Sequence, residues 1–170
     1  MTKVVAQGGN VVELSLEDLT APNLIQGLVV WTALCGRREA PAWVDVDLVA
    51  FPSQLLPKAT VVDVVDDAED FVYRYWGSGL SEVYGADETG RKTSELASVE
   101  FRDRRRREMR AVVDGCRPKL FLTELEKSNG VRAQKIILRL PVMDQPGQVT
   151  KVISLAEFGP VDYRPSGPLT

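Results

Sequence analysis

The stretch FVYRYWGSGLSEVYGADETG, residues 71–90, decides the fold, because it joins an aromatic strand to a short apolar helix and then to a glycine-punctuated turn. Side chains alternate along a strand, so Tyr73 and Tyr75 share one face of it. Leu80 and Tyr84 then lie one helical turn apart, before Gly85 ends the helix. A helix folded back on its own strand can cover a small cavity, so this order predicts a pocket.

The 170 residues predict one domain with enough apolar content for a core. We expect a flexible N-terminal lead over residues 1–14, a single domain over residues 15–158 and a flexible tail over residues 159–170. The net charge of −3 argues weakly against nucleic acid as the main partner. The first ten residues lack the apolar run of a signal peptide, and no apolar run is long enough to span a bilayer. These features predict a cytoplasmic protein without a membrane partner.

The chain contains no histidine. This excludes histidine-ligated haem, a nucleophile activated by histidine and a histidine general base. Glu124 and Glu126 alternate on a predicted strand, but no nucleophile or base accompanies them, so paired catalytic carboxylates are not indicated. We predict a non-catalytic protein, without a metal site.

An amphipathic helix is predicted near the N-terminus. Leu24, Leu28 and Trp31 lie at the spacing of one helical face, and Gly36 closes the segment. Packing on the domain's own sheet is the interpretation that we favour. A dimer seam formed by the same three residues is the alternative.

The remainder of the domain alternates between strand and helix patterns. An acidic turn separates the first two strands, and Asn129-Gly130 is typical of a hairpin between two later ones. The predicted strands cover residues 60–65, 71–76, 120–125, 131–141 and 148–158, and a long helix covers residues 93–115. Both faces of the later strands carry apolar residues, so we expect a sheet that is covered on both sides.

This order resembles that of a PAS domain, and the motifs resemble those of a bacterial branch of stand-alone PAS-like proteins. The matching pattern covers roughly residues 24–157 and runs through Trp31, Gly36-Arg37-Arg38, Pro41, Leu55-Leu56-Pro57, Phe71-x-Tyr73-Arg74-x-x-Gly77, Gly85-x-Asp87-x-x-Gly90 and Leu140-Pro141. The resemblance implies an α+β fold, in which a five-stranded antiparallel sheet flanked by helices carries an extra N-terminal helix.

The same resemblance implies a sensory or signalling module that binds a small ligand or a protein partner and forms a homodimer. We predict that its pocket is lined by Tyr73, Arg74, Tyr75, Leu80, Tyr84, Leu96, Leu122 and Leu138. The ligand or cofactor stays unknown. Cys35 and Cys116 do not stand in the reactive cysteine motif of light-sensing flavin domains, which argues against cysteinyl-flavin photochemistry.

Two charged features each admit two interpretations. Arg74 stands among aromatic residues, where it either pairs with Asp63 on the neighbouring strand and stacks on Trp76, or grips a ligand carboxylate. The arginine run at residues 102–107 predicts a solvated, salt-bridged helix surface, and the alternative is a dock for an anion, nucleic acid or acidic partner. We favour the structural interpretation in both cases.

Two other functions compete with the sensory module. One is a small α+β cone enzyme or carrier of the ketosteroid-isomerase type, in which a buried Asp63 near Tyr73 would imitate the base and donor of that class. The other is a dimerising scaffold whose aromatic side chains fill the cavity.

Overall fold

The computed structural model describes residues 4–6 and 11–160 of the chain, and side chains from residue 11 onward. The strands are β1 (Val4–Ala6), β2 (Val11–Leu14), β3 (Thr60–Val65), β4 (Asp70–Trp76), β5 (Lys119–Lys127), β6 (Arg132–Val142) and β7 (Lys151–Gly159). The helices are α1 (Pro22–Cys35), α2 (Ser78–Tyr84) and α3 (Val99–Gly115). Single 3-10 turns connect several of these elements.

The strands form one antiparallel sheet in the order β1-β5-β6-β7-β3-β4, with β2 also paired to β5. The predicted α+β class is confirmed, and strands β3 to β7 occupy the positions expected from the sequence. The two short strands β1 and β2 extend the sheet further and lie within the lead predicted at residues 1–14, of which residues 1–3 and 7–10 lie outside the described residues. Of the predicted tail, residues 161–170 lie outside the described residues.

Helices cover both faces of the sheet, as the apolar residues on both faces predict. On one face α1 approaches β7 so closely that a Cβ atom at Gly27 would lie 2.6 Å from Leu155 Cδ1. On the other face α3 meets β6, where the Glu108 carboxylate pairs with the Arg139 guanidinium. In β7, Ser154 pairs with Arg139 and lies on the α3 face, whereas the next residue, Leu155, lies on the α1 face, since successive side chains of a strand point to opposite faces.

The predicted long helix at residues 93–115 is wrong in its first part. Thr93–Glu95 forms a 3-10 turn, after which the backbone of Leu96 and Ser98 is extended. The Ser98 hydroxyl then accepts a hydrogen bond from the Phe101 N–H at 3.3 Å and caps the start of α3. The helix therefore begins after the Ser98 cap, and residues 93–98 are not part of it.

The acidic turn between β3 and β4 is confirmed as a hairpin connection. Asp66–Ala68 forms a 3-10 turn there, and β3 and β4 pair antiparallel with an irregularity between Val61 and Val62. That irregularity shifts the register, so that Val61 opposes Tyr75 while Val62 opposes Tyr73. Within the described residues, no helix combines the length and apolar character needed to cross a membrane.

Candidate functional site

The face of α3 that packs on the sheet carries three buried charged residues, Arg104, Arg105 and Glu108. Arg105, Glu108, Met109 and Val112 stand at i, i+3, i+4 and i+7, the spacing of one helical face. Burial of charge is expensive unless the charge is paired. The charged side chains of α3 therefore depend on pairing with neighbouring residues, including those of the sheet.

Glu108 and Arg139 form a buried ion pair between α3 and β6. Their side chains are 4% and 0% exposed. Arg139 Nε donates to Glu108 Oε2 at 2.9 Å, and Arg139 Nη2 donates to the same oxygen. Arg139 Nη1 donates to Ser154 Oγ at 2.7 Å, so β7 also holds the guanidinium in place. Charge-assisted bonds of this kind fix the position of α3 over the centre of the sheet.

Burial by itself would raise the pKa of the Glu108 carboxyl. The positive charges of Arg139, Lys135 and Arg105 outweigh that effect, and the pKa lies below its ordinary value. Glu108 is therefore a carboxylate at neutral pH.

Lys135 and Arg105 lie in the same buried layer. Lys135 is 2% exposed, and its Nζ lies 3.4 Å from the Tyr84 hydroxyl oxygen. Burial lowers the pKa of Lys135 well below its ordinary value, and the neighbouring Arg105 lowers it further, while Glu108 opposes both. Arg105 and Arg139 thus place two buried guanidinium charges beside the one Glu108 carboxylate.

Arg105 lies between two aromatic rings. Its guanidinium carbon is 5.5 Å from the ring centroid of Tyr84 and 5.7 Å from that of Phe101, within the range of cation–π attraction. Arg105 is 3% exposed, and its Nε–H has no hydrogen-bond partner among the described residues. A hydrogen bond with Tyr84 and the two aromatic rings therefore position the Arg105 guanidinium, while its Nε–H stays unsatisfied.

The unsatisfied buried polar atoms of the described residues gather on this side of the sheet. They are Thr60 Oγ1, Tyr73 OH, Trp76 Nε1, Arg105 Nε and Thr123 Oγ1. Thr60 pairs with both Ser154 and Trp76, and Thr123 pairs with Lys135, which places these residues on the α3 face. Buried polar atoms normally have partners. These exceptions are concentrated on the α3 face of the sheet.

A cavity of about 180 Å³ opens beside these atoms. Its lining consists of Trp76, Tyr84, Glu88, Leu96, Ala97, Ser98, Phe101 and Arg105. Trp76 lies edge-on to Tyr73 at 4.9 Å between ring centroids, and Tyr84 lies edge-on to Phe101 at 5.4 Å. These aromatic contacts hold the cavity walls from β4, α2 and α3.

Some of the predicted pocket residues lie at this cavity. Tyr84 and Leu96 line it, and Tyr73 reaches its wall through the contact with Trp76. Leu80 is buried in α2. The role of these residues in binding a ligand stays a prediction.

Other predicted pocket residues lie on the opposite face. The Tyr75 hydroxyl donates to the Leu56 carbonyl oxygen at 3.0 Å. Leu138 pairs with Leu155, which packs against α1, and Leu122 pairs with Ile136, which is on the same face of β6 as Leu138. The structure therefore does not bring the eight predicted residues into one cavity.

Arg74 has the structural contact that we favour from the sequence. Its Nε donates to Asp63 Oδ1 at 3.0 Å, and its side chain is partly exposed. The Arg74 guanidinium lies 5.8 Å from the ring centroid of Trp43, so the predicted stacking on Trp76 is wrong. Asp63 also meets Lys151 Nζ at 3.4 Å.

The structure does not assemble the acid and donor of a ketosteroid-isomerase-like site. Asp63 is engaged by two cations at a partly exposed position, while the Tyr73 side chain is buried against Trp76. Among the described residues, no group of three or more His, Cys, Asp or Glu side chains could hold a metal ion.

The arginine run is not the uniformly solvated surface that we predict from the sequence. Arg104 and Arg105 are buried, and Arg102 Nη1 donates to the Ser94 carbonyl oxygen at 3.1 Å. Arg106 Nε donates to the Glu69 carbonyl oxygen at 2.9 Å, whereas Arg107 is exposed. The reason is geometric, because consecutive residues project around a helix at 100° intervals and part of any run must face the sheet.

Leu24 and Trp31, two of the candidate dimer seam residues, are buried within the chain's own core, and Leu28 is half-buried. Trp31 Nε1 donates to the Pro141 carbonyl oxygen at 2.9 Å. These contacts are those of the packing interpretation of α1, and the seam stays a prediction.

Arg105, Glu108, Lys135 and Arg139 were not predicted as a group from the sequence. Two signals could have found them. Lys135 and Arg139 flank Ile137 at alternate positions of one strand, and Arg105 and Glu108 share a helical face with Met109.

A statistical model described as a PAS domain matches residues 20–156. No curated protein sequence matches the chain. Among solved structures, the chain is similar to one titled "Structure of an RNA-binding Light-Oxygen-Voltage Receptor", with 16% identity and a TM-score of 0.43. That alignment covers 89% of this chain and 39% of the other, so this chain spans well under half the length of that receptor chain.

Proposed function

This chain belongs to the PAS domain family, and we propose that it is a non-catalytic cytoplasmic sensor whose cavity beneath α3 holds a small ligand. The observation that carries the proposal is the set of unsatisfied buried polar atoms on the α3 face, two of which belong to residues that line the cavity. A ligand would satisfy donors that the chain leaves open. No other face of the described sheet offers this combination.

The sensor acts by binding, through a signalling partner or a second copy of the chain. Helix α3 is the element that couples the cavity to the surface, because it lines the cavity with Phe101 and Arg105 and presents exposed residues such as Arg107 outward. A ligand that changes the contacts of Arg105 changes the population of α3 positions, provided that it binds one position better than the other.

Co-purification tests the ligand. The full chain, purified from cells, is weighed by native mass spectrometry and then extracted under denaturing conditions. The expected result is a reproducible small-molecule mass in the native spectrum that is released on denaturation. The variant Ala97→Trp, which places a bulky ring at the exposed rim of the cavity, is expected to lose that mass.

Ala50→Trp is the matched control, because Ala50 is also exposed but does not line the cavity. Equal ligand retention by both variants would contradict a ligand in this cavity. A protein that is empty from cells and shows no thermal shift with any member of a metabolite panel would contradict the proposed ligand sensor.

The dimer is tested at exposed positions of α1. Ile25 and Val29 are 41% and 53% exposed, in contrast to the buried Leu24 and Trp31. Sedimentation velocity of the Ile25→Glu/Val29→Glu variant is expected to show a lower dimer fraction than the native chain. An unchanged dimer fraction, or a native chain that is monomeric throughout, would contradict a seam on this helix.

A further inference from the structure

The two unsatisfied atoms at the cavity share one chemical property. The Arg105 guanidinium and the Trp76 indole can donate hydrogen bonds and cannot accept them. Their Nε and Nε1 atoms are buried without partners among the described residues, and both residues line the cavity. A ligand that satisfies them must therefore present acceptor atoms.

The charges around the cavity favour an acceptor with negative charge. Arg105 and Arg139 are buried guanidinium cations, whereas the layer has one buried carboxylate opposite them, that of Glu108, which pairs with Arg139. Glu88, the one carboxylate in the lining, already pairs with Arg91 at 3.1 Å. The layer thus has an excess of positive charge that an anion would offset in a low-dielectric environment.

The size and the aromatic walls of the cavity limit the size and polarity of the remaining part of the ligand. A cavity of about 150 Å³ lined by apolar side chains is known to accommodate benzene, and this one has about 180 Å³. Trp76, Tyr84 and Phe101 form walls against which a flat or short apolar body can pack.

We infer that the cavity binds a small organic monocarboxylate, with its carboxylate held by the side chains of Arg105 and Trp76 and its apolar body held by the aromatic walls. This inference rests on the proposed function, because it specifies the ligand of the same cavity. An arginine paired with a carboxylate gains both charge and geometry, which a neutral acceptor does not supply.

The test titrates the native chain with benzoate and with benzamide at about 150 mM salt, where weak contacts with exposed charges are screened. The two probes have the same ring and a carbonyl acceptor, and they differ in charge. The chain has three tryptophans, so the indole N–H signals in NMR spectra report on binding directly. The Trp76 signal is expected to move, whereas the Trp31 signal stays fixed because its N–H already donates to Pro141.

The expected affinity for benzoate is at least tenfold higher than that for benzamide. Arg105→Met is expected to weaken benzoate binding at least tenfold. Arg107→Met is the matched control, because it removes the same charge from an exposed position of the same helix, and it is expected to change affinity less than twofold.

Each outcome decides a different claim. Equal binding of both probes at the Trp76 signal, or unchanged benzoate affinity in Arg105→Met, would overturn the carboxylate inference and leave the ligand cavity intact. Absence of binding by either probe, together with an empty co-purified protein, would remove both claims. Should Arg105→Met fail to fold, the comparison of benzoate with benzamide on the native chain still decides the inference.

Discussion

Replacing Glu108 with glutamine tests whether the buried ion pair holds α3 on the sheet. Arg139 is fully buried, and it has Glu108 as the only carboxylate among its described hydrogen-bond partners. Glu108→Gln keeps the shape and one acceptor but leaves the guanidinium charge without a counter-ion. Removing one partner of a buried pair costs about 3–5 kcal/mol, so we expect a loss of that size in the free energy of unfolding.

The measurement is equilibrium unfolding in urea at pH 7, monitored by far-ultraviolet circular dichroism and tryptophan fluorescence. The dependence of the free energy of unfolding on urea concentration must be the same in the variants and the native chain. The double variant Glu108→Leu/Arg139→Met removes both charges. It is expected to recover most of the loss, since apolar replacement of a whole buried pair is often neutral or stabilising. A loss below about 1 kcal/mol for the single variant, or a double variant no more stable than the single one, would refute the reasoning.

The same pair predicts a dependence on pH. The pKa of Glu108 is lower in the folded chain than its unfolded value of about 4.3. The stabilisation is therefore fully present above that value and is lost as the pH falls through the lower, folded-state pKa. The stability difference between the native chain and Glu108→Gln should shrink as the pH is lowered from 5 toward the acid limit of the fold.

Three further predictions concern separate parts of the chain. Lys135→Met is expected to raise the free energy of unfolding at pH 7 by about 1 kcal/mol or more. The pKa of this buried amine is lowered in the folded chain, so protonation opposes folding at every pH below its unfolded pKa of about 10.4. Thermal melts at pH 7 and pH 10 check this, and an equally large gain in stability at both pH values would contradict it. Gly77→Ala would place a Cβ atom 2.4 Å from the Pro57 carbonyl oxygen, so we expect the free energy of unfolding in urea to fall by about 1–3 kcal/mol. Gly159→Ala, whose Cβ atom would meet no atom within 4 Å, is the neutral control. Burial would raise the pKa of Asp70, but hydrogen bonds from hydroxyl and backbone donors lower it overall. Thr93→Val removes the 2.5 Å hydrogen bond from the Thr93 hydroxyl, so the pKa of Asp70 should rise in a carbon-detected NMR titration. An unchanged pKa would show that this hydrogen bond contributes nothing.

Much of the fold is readable from the sequence because local patterns report local structure. The alternation in residues 60–65 and 71–76 predicts a hairpin, and the structure has β3 and β4 at those places. Asn129-Gly130 predicts the connection between β5 and β6, where Gly130 adopts a φ of +77° that favours glycine. These features depend on backbone preferences within a few residues.

The candidate site is less readable because burial is not a local property. Arg105 is one of a run of arginines, and nothing in the run separates it from the exposed Arg107. The two differ only in the direction in which α3 presents them. Likewise, alternation puts Tyr73 and Tyr75 on one face of an ideal strand, but the irregularity in the β3–β4 pairing gives them different surroundings.

The sequence by itself determined the order of helices and strands, the hairpin connections and the absence of histidine, since each depends on composition or on neighbouring residues. Only the tertiary structure decided that Glu108, Lys135 and Arg139 meet beneath α3, and that Arg105 and Trp76 face one cavity with open donors. The reason is that these groups come from elements distant along the chain. Their charges and hydrogen bonds acquire strength only when the packing of α3 on the sheet removes water from between them.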